Sequence, residues 1–247
     1  MATQKITDTE RIRELVNGHE NWYHQIELAP GITTPGSHNS SLGLVYLEAM
    51  GLPTDCTGKR VLDIGCMDGF FSFEMERRGA EVVGLDYADP EITGFSIASS
   101  VLGSSVEHRT ANVYQLDRDT FGTFDIVLFL GVLYHLRNPM LAFDRVRDVV
   151  AEDGLLFVET QLSTDPTVHS SAVPLWHYFP RSTLHQDGTN KWAPNPAGLK
   201  AVIEECEFEV LQTASHGDRG YARARAIADH ELEFFRKLDS GSGMWGR

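Results

Sequence analysis

Between residues 59 and 159, short apolar runs alternate with stretches of helical spacing, and this alternation restricts the chain to an α/β fold around a parallel sheet. Residues 61–64 form the first apolar run, followed by a glycine-containing turn and a helical stretch over 69–78. A second strand over 81–85 ends in Asp86, a helix follows over 90–102, and a third strand spans 105–110. The fourth, 126–130, is continuously apolar, as suits a strand covered on both faces. A helix over 139–150 turns Leu141, Val146 and Val149 toward the sheet, and the fifth strand covers 154–159. The pattern then lapses into an insert over 161–192, rich in Pro, Ser, Thr, His and aromatic residues, a length uncommon for a loop without a function. It resumes with a helix over 195–205 and strands over 208–213 and 221–227. Only the tight link SHGDRG separates these two strands, so they must pair antiparallel.

Upstream, residues 8–17 space Ile12, Leu15 and Val16 as a short amphipathic helix stopped by Gly18. Pro30, Gly31, Pro35 and Gly36 punctuate a loop over 18–40, and a second helix covers 41–50. The expected organisation has three parts: an N-terminal helical lid (1–58), a doubly wound and mostly parallel sheet domain ending in an antiparallel hairpin strand (59–228, with the insert 161–192), and a C-terminal helix and tail (229–247). In the last of these, Leu232, Phe235 and Leu238 share a face among solvated charges.

Charge narrows the partners. Acidic residues outnumber basic ones 35 to 21 over 247 residues, a net charge of −14. Such a surface repels a phosphate backbone, so nucleic acid is disfavoured as a partner, and the best candidate for a basic cluster, Arg219, Arg223 and Arg225, is diluted by Gly and Ala. Three scattered cysteines suit neither a disulfide framework nor a zinc site, and no HxxxH or paired-carboxylate spacing announces a metal. The odd cysteine count fits a reducing compartment. The first 17 residues carry no apolar stretch that could serve as a signal, and the longest apolar run, 126–133, is far too short to span a membrane. A cytoplasmic protein without membrane contact is expected.

In a doubly wound sheet, ligands bind at the carboxyl ends of the strands. Here that end of the first strand reads Asp63-Ile64-Gly65-Cys66-Met67-Asp68-Gly69-Phe70. Glycines let backbone approach a ligand, and the helix that follows offers free N–H groups. Asp86 lies 17 residues after Gly69, where a carboxylate can accept both hydroxyls of a ribose, and Asn112 stands where an amide can meet an adenine edge. The dinucleotide fingerprint G-x-G-x-x-G is not met, because Met67 and Phe70 occupy two of its positions. Asp63 and Asp68 place negative charge around the turn, which suits a ligand with an amino group and a sulfonium, as in S-adenosylmethionine.

The stretch VLDIGCMDGFFSFEMERRGAEVVGLD resembles motifs I and II of class I S-adenosylmethionine-dependent methyltransferases, with Met67 standing where the family has a glycine. Five parallel strands followed by a hairpin is also the order of the Rossmann-like methyltransferases. Together with WYHQIELAPGITTPG, the segment FDIVLFLGVLYHLRNPMLAFDRVRDVVAEDGLLFVET is similar to the family of the bacterial tRNA wobble-uridine carboxymethyltransferase and its shorter relatives. The resemblance covers roughly residues 20 to 210. It implies that Asp63, Gly65 and Gly69 line the methionine and ribose portions of the cofactor and that Asp86 holds the ribose diol. Leu130, Gly131 and Tyr134 would border the methionine side. Cys66, Asp68, Phe70, Tyr87, Asn112 and Val113 complete the expected cofactor-binding set. The tRNA enzyme binds a carboxylated cofactor and RNA through basic residues, whereas residues 32–44 contain no Lys or Arg. Plain S-adenosylmethionine and a small organic acceptor, as in specialised metabolism, are therefore expected. A tRNA-modifying (carboxy)methyltransferase and a non-catalytic cofactor-binding partner subunit are the rival readings, and a nicotinamide oxidoreductase is more distant.

Methyl transfer is an in-line displacement, so the protein mainly positions the nucleophile, and a base is needed only if the acceptor must lose a proton. His135, following Tyr134, is the candidate for substrate positioning or proton abstraction; its other reading is a histidine that fixes the loop. His24 and Glu159 are the further catalytic candidates, Glu159 either orienting a histidine or capping backbone. Trp22, Tyr23 and His38 from the lid and Trp176, His177, Tyr178 and Phe179 from the insert are candidates for covering a flat or apolar substrate. The same insert aromatics serve equally in packing or in a contact between two copies of the chain, a homodimer.

Overall fold

The apolar runs become the strands of a seven-stranded, mostly parallel sheet in the computed structural model, which describes residues 5–181 and 183–228. In chain order they are Arg60–Ile64 (β1), Glu81–Asp86 (β2), Glu107–Thr110 (β3), Phe124–Leu130 (β4), Val150–Gln161 (β5), Phe208–His216 (β6) and Arg219–Ala226 (β7). The expected C-terminal helix and tail, 229–247, lie outside the described residues. The chain divides into two compact units, Met1–Val113 and Tyr114–Arg247.

The first unit carries β1, β2 and β3, parallel and in that order. Val61, Leu62 and Ile64 of β1 are buried, as are Val82, Val83 and Leu85 of β2. Helix α1 (Thr9–Gly18) begins at Asp8, whose carboxylate accepts the Glu10 and Arg11 N–H groups, and it buries Ile12 and Val16. Helix α2 covers Ser41–Ala49 and α3 covers Phe70–Arg77. The segment 18–40, expected as a loop, contains a small antiparallel ladder, Glu27–Ala29 with Ile32–Thr33, reversed at Gly31 with φ 72°. The N-terminal region is therefore mixed rather than purely helical. The helix expected over 90–102 breaks into Pro90–Thr93 and α4 (Phe95–Leu102). Gly94 between them has φ 85°, and a Cβ there would lie 2.7 Å from the Trp22 ring, so this position serves close packing.

The second unit carries β4, β5, β7 and β6 in that order, β4 parallel to β5 and β7 antiparallel to both of its neighbours. Ile126 to Phe129 are all buried, in keeping with their continuous apolar run. The hairpin joining β6 to β7 turns at Gly217 and Asp218, with His216 opposite Arg219. Helix α5 (Pro139–Val149) buries Ala142, Phe143, Val146 and Val149. Leu141, expected to face the sheet, is 41% exposed, because the buried stripe runs one position further along. The insert is partly ordered into a short helix, Pro166–His169, and an antiparallel pair, Trp176–Tyr178 with Trp192–Pro194. Helix α6 (Pro196–Glu205) starts at Asn195, whose side chain accepts from Gly198 N. Phe124, Phe129, Phe143, Phe157 and Phe208 fill this unit's core. Among the described residues, no helix is long and apolar enough to cross a membrane, and no grouping of His, Cys, Asp and Glu could hold a metal ion.

Candidate active site

In the first unit the turn after β1 is built on left-handed backbone at Gly65 (φ 77°), Met67 (φ 50°) and Gly69 (φ 93°). Met67 stands where the resemblance has glycine, yet the backbone keeps the glycine-like conformation, which costs a side-chain-bearing residue about 1–2 kcal/mol. Its N–H is held by Asp86 Oδ2 at 3.0 Å, and Asp86 Oδ1 accepts Ala88 N at 2.9 Å. Gly65 N and Cys66 N both donate to Leu85 O, hanging the turn on the end of β2. A Cβ at Gly69 would lie 2.5 Å from the Phe73 ring, so α3 can start here only with glycine.

Asp63, at the penultimate position of β1, is buried and accepts Ser72 Oγ at 2.6 Å. Burial pushes its carboxyl up to about 6, against the opposing pull of the Ser72 hydrogen bond and of His24, and Asp86 adds to the rise. Cys66 is buried, and burial first, then the neighbouring carboxylates, hold its thiol well above the ordinary range. Among the described residues no Lys or Arg hydrogen-bonds Asp63 or Asp86. Carboxylates without a Lys or Arg partner fit a cationic amino-sulfonium ligand and oppose a pyrophosphate.

Asp68 departs from expectation. It is fully buried, and its carboxylate accepts Tyr23 N at 2.9 Å and His24 N at 2.7 Å through Oδ2, while Oδ1 meets His24 Nδ1. The charge expected to face a ligand is engaged by the N-terminal segment, because three donors converge on it. His24 is correspondingly interior, its ring 5.6 Å from Phe70 and 6.0 Å from Phe71. Tyr23 stacks on His38 at 4.0 Å, so these three lid candidates and Phe70 do come together. Trp22 does not join a surface: it is buried beneath Gly94 and donates to Val16 O at 3.0 Å. Tyr87 is 79% exposed. Ala111 N donates to Asp86 O, which sets exposed Asn112 and buried Val113 just past the end of β2.

In the second unit Gly131 N donates to Glu159 O as the chain leaves β4 at Leu130, and a short helical turn, Leu133–His135, presents Tyr134 and His135. Their rings lie 4.1 Å apart. The Arg219 guanidinium sits 4.9 Å from the Tyr134 ring centroid. Burial raises the Tyr134 phenol, partly offset by Arg219. Glu159 does not orient a histidine or stand free as a base: Arg219 grips both its oxygens, Nη2 at 2.7 Å and Nε closer still, and Nη1 reaches Gln161 Oε1 at 3.3 Å. Burial opposes the charge on Arg219, but the bond and charge of Glu159 outweigh it and raise the guanidinium's pKa. His135 Nδ1 lies 2.9 Å from Thr189 Oγ1, which lies 2.7 Å from Asp187 Oδ1. Lys191 N donates to Tyr134 O at 2.7 Å, tying the far limb of the insert to this turn.

The insert aromatics divide. Trp176 donates through Nε1 to Gly198 O at 3.1 Å, and Trp192 lies 6.3 Å from Trp176 and 4.9 Å from Tyr178. His177 stacks on Phe179 at 4.1 Å and meets Ser163 Oγ at 3.2 Å. Of this set Tyr178 is the most open, at 52% exposed. Sequence reasoning missed Thr189, Asp187 and Gln161, and it saw Arg219 only as part of a basic cluster. One signal was available for Arg219: antiparallel pairing of the last strand with the fifth sets it opposite Gln161, beside Glu159.

Comparison with known proteins supplies the family. A model of the methyltransferase domain matches residues 46–213. The ubiquinone biosynthesis O-methyltransferase of Xanthomonas oryzae pv. oryzae is 30% identical over 175 residues, covering 69% of this chain and 71% of that protein. The tRNA U34 carboxymethyltransferase of Cronobacter sakazakii is 28% identical over 181 residues, covering 73% of this chain but 54% of the relative. The crystal structure of the N-terminal domain of EvdMO1, obtained with SAH and D-fucose, shares the fold at a TM-score of 0.63 and 23% identity, covering 91% of this chain and 98% of that one. With the glycine turn and its carboxylates in place on a Rossmann-like sheet, the chain belongs to the methyltransferase-domain family and is an S-adenosylmethionine-dependent methyltransferase.

Proposed function

We propose that the enzyme methylates a small organic acceptor and uses S-adenosylmethionine in its plain form. The observation that carries this reading is the fate of the basic strand. Arg219 is paired with Glu159 and Arg225 with Glu209, while Arg223 is half-buried in β7. Two of the three arginines of the best candidate basic cluster in a chain of net charge −14 are thus neutralised internally, which leaves little to grip a phosphate backbone. The Xanthomonas relative, an O-methyltransferase of ubiquinone biosynthesis, supports the same acceptor class.

S-adenosylmethionine supplies the methyl group on a sulfonium; the chain's residues bind it, orient the acceptor and exclude water. In this proposal Asp86 takes the ribose hydroxyls with its remaining lone pairs, Asp63 faces the amino group, and Asn112 meets the adenine. Calorimetric titration with S-adenosylmethionine and with its carboxylated analogue tests it, alongside tRNA binding at two salt concentrations. Tight binding of the plain cofactor and no detectable tRNA binding is expected. Preference for the carboxylated form, or tRNA binding that falls steeply with salt, overturns it in favour of tRNA modification.

Asp63 adds a pH signature. Its raised pKa means that the folded protein without ligand holds this proton more tightly than the unfolded chain does. That contribution to stability is full below the ordinary carboxylate range and fades as pH rises through about 6. A cationic amino group demands the carboxylate, so cofactor binding runs the other way. The Kd should weaken about tenfold from pH 7 to pH 5 for a group titrating near 6. Asp63→Asn should flatten this dependence; calorimetry over the same range would expose a wrong assignment as an unchanged slope.

A further inference from the structure

We infer that Thr189, itself held by Asp187, fixes His135 as its Nδ1–H tautomer, leaving Nε2 bare and poised to take the proton of the methyl acceptor. This rests on the small-acceptor methyltransferase reading and names the group that activates the acceptor.

The argument is a count of hydrogens. Asp187 Oδ1 accepts both Thr189 N and Thr189 Oγ1, each at 2.7 Å. Those two bonds from Thr189 hold the Asp187 carboxyl below its ordinary value, so at neutral pH it is a carboxylate with no hydrogen to give. A threonine hydroxyl has one hydrogen, and here it is directed to Asp187. The 2.9 Å contact between Thr189 Oγ1 and His135 Nδ1 is then a hydrogen bond only if Nδ1 carries a hydrogen and the hydroxyl oxygen accepts it. A neutral imidazole has one N–H, so Nε2 is left with its lone pair.

The surroundings favour the neutral ring. Burial lowers its pKa and is the largest influence; Asp187 and a backbone hydrogen bond at Thr189, both from the insert, pull the other way, and Arg219 from β7 adds to the lowering. Tyr134, on the same turn, packs against the ring at a tilt of 43° and is itself held neutral by burial. The insert delivers Thr189 to a histidine 54 residues away in sequence. It does so through backbone that is left-handed at His185 (φ 54°) and Gln186 (φ 57°) and anchored by Lys191 N on Tyr134 O. Non-glycine residues in that region cost free energy, and such conformations cluster where a constellation must be held in place.

The acceptor this arrangement serves carries an O–H or N–H. Its lone pair forms the bond to the methyl carbon, and the carbon–sulfur bond breaks with its electron pair going to sulfur. The proton passes to Nε2, which returns it to water, while Nδ1–H stays on Thr189 throughout. Thr189 and Asp187 are positioning residues in this scheme.

Long-range proton–nitrogen correlation spectra of the nitrogen-15-labelled full chain test the inference without any acceptor, with His135→Gln identifying the resonance. The expected result at pH 8 is an N–H-type Nδ1 and a lone-pair-type Nε2, with titration below the ordinary histidine value. Thr189→Val should move the ring to the Nε2–H tautomer or to a mixture, and Thr189→Ser should restore it. An Nε2–H tautomer in the unaltered protein, titration above pH 8, or no change in Thr189→Val overturns the inference. Failure of the underlying reading looks different, because it appears as absent or altered cofactor binding in the calorimetry while the tautomer is as expected.

Discussion

Replacing Asp68 by alanine should lower the free energy of unfolding by about 3 to 5 kcal/mol. The carboxylate is fully buried and receives the Tyr23 and His24 N–H groups and the His24 ring nitrogen. Alanine removes the common acceptor and strands these donors in a region that water does not reach. Each stranded donor costs roughly 1–3 kcal/mol, and partial relaxation of the segment keeps the total below their sum. The loss should appear in equilibrium urea unfolding as a lower midpoint with an unchanged slope. Asp68→Asn is the informative partner. It keeps the shape and one accepting oxygen for the two backbone donors, so only the ring contact must rearrange, at a cost of about 1–2 kcal/mol. An alanine variant within about 0.5 kcal/mol of the unaltered protein would show that the N-terminal segment is held by its aromatic packing and not by this carboxylate.

Asp68 also marks the boundary of what could be read from the amino-acid order. Its place beside Gly65 and Gly69 was legible, because the backbone of a strand-to-helix turn announces itself within a few residues. Its partner lies 44 residues earlier, at a separation where no local rule applies. The same division runs through the fold. Strands β1, β2 and β4 were legible because burial on both faces demands unbroken apolar runs. The break at Gly94 was not, since a glycine inside a helical pattern is tolerated until a ring such as Trp22 needs the room. On α5 the spacing of Leu141, Val146 and Val149 suggested a stripe, yet Ala142 and Phe143 complete a tighter one, leaving Leu141 outside. In the insert, the pair Trp176–Tyr178 with Trp192–Pro194 is closed by a long connection over 179–191, in which the Asp187-Gly188 turn signal stands too far from both strands to mark a two-residue hairpin. Glu159 with Arg219 and His135 with Thr189 are separated by 60 and 54 residues. Residue types that could do chemistry were visible at these positions. Which of them would meet was decided by strand pairing and by the return of the insert.

His135→Ala should lower turnover by about 10²- to 10⁴-fold, the range typical of losing a positioned general base. Cofactor affinity should stay within about twofold, because a general base contributes to the transition state and not to binding of the cofactor. If the histidine acts only as the transition state forms, kcat and kcat/KM for the acceptor should fall together. A merely structural role would instead raise KM or lower the unfolding midpoint, since the ring packs against Tyr134 at 4.1 Å. The pH profile separates the two further. With the ring neutral above its lowered pKa, the rate of the unaltered enzyme should climb through a value below the ordinary histidine range and then level off. In the alanine variant that limb should vanish, and the rate should rise with hydroxide as the acceptor ionises in solution. Release of S-adenosylhomocysteine at saturating cofactor, measured with an acceptor bearing an O–H, gives both readings in one assay. Turnover that survives the substitution within about threefold would mean that the acceptor needs no base. Thr189 and Asp187 would then hold the ring for the sake of the turn that carries Tyr134.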